Sequence, residues 1–298
     1  MAHTYRNPLL PGADPFLLCR DGVYYLYGTN APDGFRVHTS RDLTVWEDRG
    51  LCLTAGDGVI GAHGFWAPEI LERGGHFYMV YVAEEHLAVA EADSPLGPFR
   101  QTKKEWLLPY RAIDGHFFTD GDGTVWLYYV RLGGGNVIWC ARMTPDLHAV
   151  EEESARLLLR AETEWETRDC LVAEGPFVLR HGGKYYLTYS ANHTRSPHYA
   201  VGCAVSDAPD GPFERVPYNP ILHRTEAVDG PGHHSFALAA DGRTLLCVYH
   251  THEAPGRMGQ RMTCIDRARF VPDPAAGYDR LVVDGPSVTP QPLPGEEI

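Results

Sequence analysis

The chain has 298 residues, of which 44% are hydrophobic and 22% are charged, as is usual for a globular protein with a substantial buried core. Its formal net charge of −13 argues against a nucleic-acid partner, because proteins that bind nucleic acids neutralise phosphates with lysine and arginine. The sequence also has no basic run of the kind that binds an anionic membrane surface.

The first residues, MAHTYRNPLLPGADPF, lack the apolar region of a secretory signal, and no stretch of the chain is long and apolar enough to span a bilayer. Seven cysteines are present without any CxxC spacing, and Cys140, Cys203 and Cys247 occupy positions that apolar residues hold in comparable strands. We expect them to be small buried hydrophobic residues without a metal or catalytic role. These features together predict a protein of the reducing cytoplasm.

One pattern recurs five times along the chain. It consists of a polar residue, a small residue or proline, an apolar strand, a turn that contains glycine, and a second strand that is usually rich in tyrosine. The five copies are GADPFLLCRDGVYYLYGTN (12–30), WAPEILERGGHFYMVYVAE (66–84), AIDGHFFTDGDGTVWLYYV (112–130), VAEGPFVLRHGGKYYLTYS (172–190) and GHHSFALAADGRTLLCVYH (232–250). Further strands follow most copies, as in FRVHTS and VWEDRG after the first.

Repeats of about 40–60 residues, each with about four short strands, are typical of a β-propeller. The prediction is therefore an all-β, five-bladed β-propeller, and since no linker divides the chain, a single domain covering residues 1–298. The segment EEESARLLLRAETE (151–164) is the only one that suggests a helix, but we expect it to hold an outer strand and a loop. A two-sheet sandwich is the alternative, although it would not explain a polar residue at the start of every copy.

Four of the five copies open on an acidic residue, and the fifth opens on a histidine pair. The acidic residues are Asp14, Glu69, Asp114 and Glu174. In a propeller the first strands of the blades line the central channel, so these groups are expected to meet at one end of it. Carboxylates gathered in a partly desolvated site differ in pKa, and a carboxylic acid facing a carboxylate is what glycoside hydrolysis requires. The alternative is that each residue caps backbone N–H groups at a strand end.

The order and spacing of several motifs resemble glycoside hydrolase family 43. The motifs are NPLLPGADPF (7–16), FWAPEI (65–70), AIDGHFFTDGDG (112–123), EGPFVLRHGGKYYLTYS (174–190), GPGHHSF (230–236) and GPSVTPQPLP (285–294). The resemblance covers essentially the whole chain. It implies a five-bladed propeller that hydrolyses arabinose- and xylose-containing glycans with inversion of configuration.

The resemblance also implies roles for individual residues. Asp14 is similar to the general base that activates water, Glu174 to the general acid, and Asp114 to the acidic residue that tunes the pKa of the acid and orients it. His233 is similar to a histidine that holds a metal ion or a water cluster at the base of the channel, where calcium or sodium would suit the oxygen-rich surroundings. No cofactor is required for the chemistry. Arg261 is similar to an arginine that reaches the bound sugar.

The sequence departs from the family pattern at three motifs, with WAPE in place of WAPD, IDG in place of IDP and GHHS in place of GHNS. We assign Glu69 no catalytic role. Trp66, Phe65 and Phe117 are candidates for substrate binding through aromatic stacking, as is Trp165, although aromatic residues more often fill the core between blades. His250 and His252 alternate along one strand and could form a ligand pair, but no third ligand is evident.

The function predicted from the sequence is an inverting glycosidase that removes pentose residues from oligosaccharides, with α-L-arabinofuranosidase as the first choice. β-Xylosidase and endo-arabinanase are alternatives on the same fold. A non-catalytic sugar-binding or scaffold propeller is an alternative of another class, against which the three acidic residues argue. A retaining fructan- or sucrose-acting propeller is disfavoured because its WMNDPN-like opening is missing. The expected partner is a pentose-containing oligosaccharide, with no nucleic acid and no membrane.

Overall fold

The computed structural model describes residues 4–296, which form five sheets arranged as the blades of a β-propeller. Two short strands come first, β1 (Thr4–Tyr5) and β2 (Leu10–Pro11). Blade 1 contains β3 (Ala13–Arg20), β4 (Val23–Thr29), β5 (Gly34–Ser40) and β6 (Glu47–Thr54). Blade 2 contains β7 (Trp66–Arg73), β8 (His76–Ala83) and β9 (His86–Ala92). Blade 3 contains β10 (Ala112–Thr119), β11 (Val125–Leu132), β12 (Asn136–Arg142) and β13 (Arg156–Leu159).

Blade 4 contains β14 (Ala173–His181), β15 (Lys184–Ala191), β16 (Ala200–Ser206) and β17 (Glu214–Arg215). Blade 5 contains β18 (Gly232–Leu238), β19 (Leu245–Thr251), β20 (Met262–Val271) and β21 (Arg280–Val283), and β22 (Gln291–Pro292) follows it. All strand pairs within the blades are antiparallel and follow the order of the sequence. The five-bladed prediction is confirmed, except that blade 2 adds to its three strands only a single bridge between Glu91 and Arg100.

The N-terminal part of the chain closes the ring. Strand β2 joins blade 5 by pairing with the first residues of β20, where Leu10 lies opposite Thr263. Strand β1 pairs with β22, close to the C-terminal end of the described residues. The first and last blades are thus held together by backbone hydrogen bonds between segments from opposite ends of the chain.

The segment 151–164 is the outer edge of blade 3, as predicted. A single turn of 3-10 helix (Glu152–Ser154) precedes β13, and an irregular loop follows it. None of the helical segments among residues 4–296 is long and apolar enough to cross a lipid bilayer.

The core lies between the blades and consists largely of the second strands. Each of these strands has a tyrosine that is at most 1% exposed, and these are Tyr27, Tyr81, Tyr129, Tyr189 and Tyr249. The three cysteines singled out in the sequence are fully buried in the same layers, which confirms their hydrophobic role. Packing of this kind leaves the first strands β3, β7, β10, β14 and β18 in contact with one another in a closed ring around the channel.

Candidate active site

Each of the five inner strands begins with the same backbone irregularity. Pairing with the second strand of the blade is interrupted by a β-bulge one or two residues after the strand starts. One residue of each bulge has a positive φ, and these residues are Asp14 (51°), Ala67 (42°), Asp114 (54°), Gly175 (54°) and His233 (45°). A non-glycine residue in this region costs about 1–3 kcal/mol and is characteristic of functional sites. The bulges turn the first side chains of the inner strands toward one end of the channel.

The register of the bulges corrects the prediction that four acidic residues occupy one repeated position. Asp14 and Asp114 are equivalent to each other and to His233, since all three hold the positive-φ position. Glu174 lies one residue before that position, and Glu69 lies two residues after its own, Ala67. The shared site is therefore built on the bulge and not on one acidic position per blade.

Glu69 does not join the acidic residues at the strand mouths. Its Oε2 lies 2.7 Å from Nδ1 of His116, which occupies the corresponding position in blade 3. His116 Nε2 accepts the backbone N–H of Val178 (3.0 Å), so the ring carries its proton on Nδ1 and donates it to Glu69. This interaction joins three successive blades, from Glu69 in blade 2 through His116 in blade 3 to Val178 in blade 4.

Asp14 is buried and held in its ionised form by its neighbours. Arg261 Nη1 donates to Oδ1 at 2.8 Å, and Thr29 Oγ1 donates to Oδ2 at 2.6 Å. Burial would raise the pKa of Asp14, but the charges of Arg261 and then His233 outweigh it and hold the pKa well below its usual range. Asp14 is therefore a carboxylate throughout the range in which the protein would work.

His250, from the end of β19, supports Asp14 through the backbone. The N–H of Asp14 donates to Nδ1 of His250 at 3.2 Å. Burial and the nearby charge of Arg261 lower the pKa of this fully buried histidine to about 3, so the ring is neutral and its Nδ1 accepts. Its approach to the Asp14 carboxylate (3.4 Å) is consequently a contact of a neutral ring and not an ion pair.

His233 lies between the strands that carry Asp14 and Glu174. Its Nδ1 is 3.4 Å from Oδ1 of Asp14, and its backbone N–H donates to Ser190 Oγ at 2.8 Å. A Cβ added to Gly175 would stand 3.4 Å from the ring, so the imidazole packs directly against this glycine. Burial would lower the pKa of His233, but the surrounding carboxylates, Asp14 foremost, raise it and favour an imidazolium.

Glu174 has the opposite electrostatic environment to Asp14. Its Oε1 accepts from the hydroxyl of Tyr199 (2.9 Å) and its Oε2 from Nδ2 of Asn136 (2.8 Å). Burial and the Asp114 carboxylate raise its pKa to about 7, against the partial opposition of His233 and these two hydrogen bonds. Asp114 accepts the N–H of Gly175 at 3.1 Å, and burial raises its own pKa as well. The site thus combines a permanent carboxylate with a carboxyl group that holds its proton up to neutral pH.

This difference in pKa is what acid–base catalysis on an acetal needs. A protonated carboxyl group can give its proton to a departing oxygen, while a carboxylate on the other side takes a proton from water. Asp114 acts on Glu174 through its charge, and it holds the neighbouring backbone by accepting the N–H of Gly175. The predicted roles of Asp14, Asp114 and Glu174 are compatible with these surroundings.

His233 offers a metal ion little support from the protein. Within residues 4–296, no group of three or more His, Cys, Asp and Glu side chains is arranged to hold a metal ion. His233 would supply a single imidazole nitrogen as the protein's ligand to the ion. The carboxylate of Asp14 lies beside this ring and favours its protonated form. The ion near His233, calcium or sodium, stays a prediction that metal analysis of the purified protein can test, and no catalytic step is assigned to it.

Two of the four residues predicted to bind substrate belong to the core. Phe65 is 2% exposed and stacks on Tyr81 at 6.1 Å, and Phe117 is 8% exposed within an apolar cluster between blades 2, 3 and 4. Successive side chains of a strand point to opposite faces, so the residue next to a channel-facing side chain points into the core. Trp66, which is 37% exposed beside the bulge of blade 2, remains available for a sugar, and Arg261 is at the site through Asp14.

Several residues that complete the site were not predicted from the sequence. Tyr199, Asn136 and Thr29 come from loops and from the second and third strands, and His250 was considered only as one half of a ligand pair. The other half, His252, is buried elsewhere and donates to the carbonyl of Thr194 (2.9 Å). A signal for some of them exists: the residue opposite the start of the inner strand is polar in blades 1, 4 and 5, where it is Thr29, Ser190 and His250.

Comparison with known proteins agrees with the fold. The family model for glycosyl hydrolases family 43 matches residues 5–275. An extracellular exo-α-(1→5)-L-arabinofuranosidase of Streptomyces chartreusis is 30% identical, in an alignment that covers 84% of this chain and 83% of the relative. A crystal structure of a thermostable family-43 glycoside hydrolase is 38% identical, with a TM-score of 0.91, covering 99% of this chain and 100% of that one. An endo-1,4-β-xylanase from Bacteroides thetaiotaomicron is 36% identical with a TM-score of 0.88, covering 98% and 99%.

Proposed function

The chain belongs to glycosyl hydrolases family 43, and from that premise we propose that it is an inverting, exo-acting hydrolase that removes α-L-arabinofuranosyl residues from short pentose-containing oligosaccharides. The observation that carries the proposal is the opposed state of two carboxyl groups in one site. Asp14 is held ionised by Arg261, and Glu174 has a pKa of about 7.

In the proposed reaction Glu174 protonates the oxygen of the leaving sugar while Asp14 takes a proton from water that attacks the anomeric carbon. The glycosidic bond breaks, the water oxygen becomes the new anomeric hydroxyl, and the proton from water ends on Asp14. The negative charge of Asp114 raises the pKa of Glu174, so Glu174 holds its proton until the reaction. Return of the proton from Asp14 to Glu174 through solvent restores the starting state.

The position of His233 supports inversion. The imidazole occupies the space between Asp14 and the backbone next to Glu174, so the two carboxyl groups are not neighbours. Inverting enzymes need such a gap for the attacking water, with carboxyl groups about 6.5–9.5 Å apart, whereas retaining enzymes hold them at about 5–5.5 Å.

The choice of sugar rests on the similarity to the Streptomyces exo-arabinofuranosidase. The endo-1,4-β-xylanase among the similar structures favours a second candidate, hydrolysis of β-linked xylose. Both candidates use the same acid and base and differ only in the sugar that the channel mouth accepts.

A panel of aryl pentosides and pentose oligosaccharides, with the first-formed anomer read by NMR, tests the proposal. We expect turnover of α-L-arabinofuranosides with inversion at the anomeric carbon. Faster turnover of β-xylosides would establish the second candidate, and a retained anomer would refute the assignment of Asp14 as a base. Tight sugar binding without turnover of any glycoside would indicate a non-catalytic sugar-binding propeller.

A further inference from the structure

A cavity of about 280 Å³ lies at the end of blade 4 where β16 begins. It is lined by Trp165, Arg168, His198, Ala200, Pro220, His223 and Arg224, and is called the blade 4 cavity below. We propose that the blade 4 cavity binds the carboxylate of a uronic acid residue attached to the sugar chain that leaves the active site. The proposal rests on the proposed function for the position of that chain, and it names a class of substrate, acidic pentose-containing oligosaccharides.

The lining of this cavity is positively charged, whereas the whole chain is negatively charged. The whole chain has 39 acidic residues against 26 lysines and arginines. Two of the seven lining residues are arginines, two are histidines and none is acidic. A concave surface of one sign concentrates ligands of the opposite sign, so the blade 4 cavity selects an anion on an otherwise anionic protein.

Arg168 is the donor best placed for a carboxylate. Among the residues that the structure describes it forms no ion pair, and its Nη1 donates only to Nδ1 of His198, at 3.5 Å. Arg224 forms an ion pair with the buried Asp229 through one nitrogen (3.0 Å), and its remaining N–H groups can donate to a ligand. A guanidinium with unused parallel N–H groups binds a carboxylate in a bidentate manner, which a simple point charge does not.

Trp165 provides a flat apolar wall for the ring of the same sugar. It is half-buried, and its own ring packs against Tyr189 (6.0 Å) and over Gly202. A Cβ on Gly202 would come within 2.6 Å of the indole, so only glycine there leaves the ring in this place. An aromatic face beside a cationic rim matches a uronate, which has an apolar C–H face and a charged edge.

The loop that carries Trp165 is fixed before any ligand arrives. The carboxylate of Glu166 is fully buried, accepts from Nε of Arg215 at 2.7 Å and accepts the backbone N–H groups of Glu162 and Thr163, both at 2.8 Å. Asn192 ties the same loop to the cavity, since its Nδ2 donates to the carbonyls of Trp165 (2.7 Å) and His198 (3.1 Å). Binding there would consequently require little ordering of the protein.

The cavity is connected to the active site through adjacent residues. His198 lines the cavity, and the next residue, Tyr199, donates its hydroxyl to Glu174. Strand β16 lies two strands outward from β14, which places the cavity about 10 Å from the strand of Glu174. Because Glu174 is the group that protonates the departing oxygen in the proposed reaction, the proposal places the sugars beyond the broken bond on this side of the channel.

The test uses a ligand that the proposed activity cannot cleave. Glucuronosyl-α-1,2-xylose has no pentose at its non-reducing end, and its carboxyl-reduced counterpart differs only in carrying an uncharged CH2OH group in place of the carboxylate. Calorimetry with the full-length protein is expected to give roughly threefold to tenfold tighter binding of the uronate, as for a partly exposed charge-assisted pair, and the difference should shrink at high salt.

Arg168→Gln is expected to abolish that preference. Arg243→Gln is the matched control. It removes the same charge from the exposed turn between β18 and β19 of blade 5, outside the cavity, and should leave the preference intact. Equal binding of the two disaccharides, or a preference that survives Arg168→Gln, would overturn the proposal. Failure of the proposed function would instead appear as loss of turnover on neutral pentosides, which this binding experiment does not measure.

Discussion

Replacing Tyr199 with phenylalanine is expected to raise the pKa of Glu174 and to move the alkaline limb of the pH profile. Burial and Asp114 raise this pKa to about 7, and the hydroxyl of Tyr199 opposes them by donating to Oε1 at 2.9 Å. A hydrogen bond to a charged group contributes about 1.5–3 kcal/mol, and one to a neutral group about 0.5–1.5 kcal/mol. The ionised form therefore loses about 1–1.5 kcal/mol more than the protonated form, which is about one pKa unit.

The sign of the effect on activity follows from the role of the proton. As a general acid Glu174 works in its protonated form, so kcat/KM falls as the pH rises through its pKa. Tyr199→Phe should shift this fall upward by about one pH unit and leave the acidic side of the profile unchanged.

The assay is kcat/KM against pH for the wild type, the Tyr199→Phe variant and a matched control. Tyr185→Phe removes another hydroxyl that donates to a carboxylate, that of Asp120 (2.8 Å), at the far end of β15. The control should keep the wild-type profile. An alkaline limb that stays in place or moves down in Tyr199→Phe would refute the assignment of the limb to Glu174.

Three further changes test the other parts of the site. Arg261→Gln removes the charge nearest Asp14, so the pKa of this carboxyl should rise by about 1–3 units and kcat/KM should fall on the acidic side, where the base becomes protonated; an unchanged acidic limb would contradict this. Thr29→Val deletes a hydroxyl that serves both the Asp14 carboxylate and a backbone N–H, and should lower the free energy of unfolding by about 1–3 kcal/mol in denaturant titrations; unchanged stability would count against these contacts. Trp66→Ala should raise KM with little change in stability, whereas Phe65→Ala should cost about 3–5 kcal/mol of stability, and the reverse pattern would show that the aromatic roles are exchanged.

The sequence was sufficient to predict the blades because their signals are local. Glycine turns and tyrosine-rich second strands mark each hairpin, as between β14 and β15, where Gly182 and Gly183 both have positive φ. The acidic residues Asp14, Asp114 and Glu174 were found for the same reason, since each follows directly from where an inner strand begins.

The alignment of the blades could not be predicted because β-bulges shift the register. One inserted residue changes which side chain faces the channel, and the amino-acid pattern does not mark its place. Glu69 and Glu174 therefore looked equivalent in the sequence although they stand three positions apart relative to the bulge. Phe65 was wrongly expected to bind sugar for a different reason, because successive side chains point to opposite faces and Phe65 is buried beside the exposed Trp66.

Residues that act through other residues were the least predictable. Tyr199 and Asn136 matter because they donate to Glu174, and their distance from it in the chain carries no periodic signal. His250 holds the backbone of Asp14 from a strand of the last blade, 236 residues away. Only the closure of the ring brings His250 to Asp14.

The roles of Glu174 as the acid and Asp14 as the base are tested most directly by measuring, in two variants, how turnover depends on the leaving group. With Glu174→Ala, turnover of oligosaccharides with poor leaving groups should fall by several orders of magnitude, while aryl glycosides with activated leaving groups should lose much less, because they depart without a proton. With Asp14→Asn, both kinds of substrate should lose activity alike, since every leaving group requires the activated water. Equal losses in Glu174→Ala on both kinds of substrate, or near-normal hydrolysis by Asp14→Asn, would contradict the account.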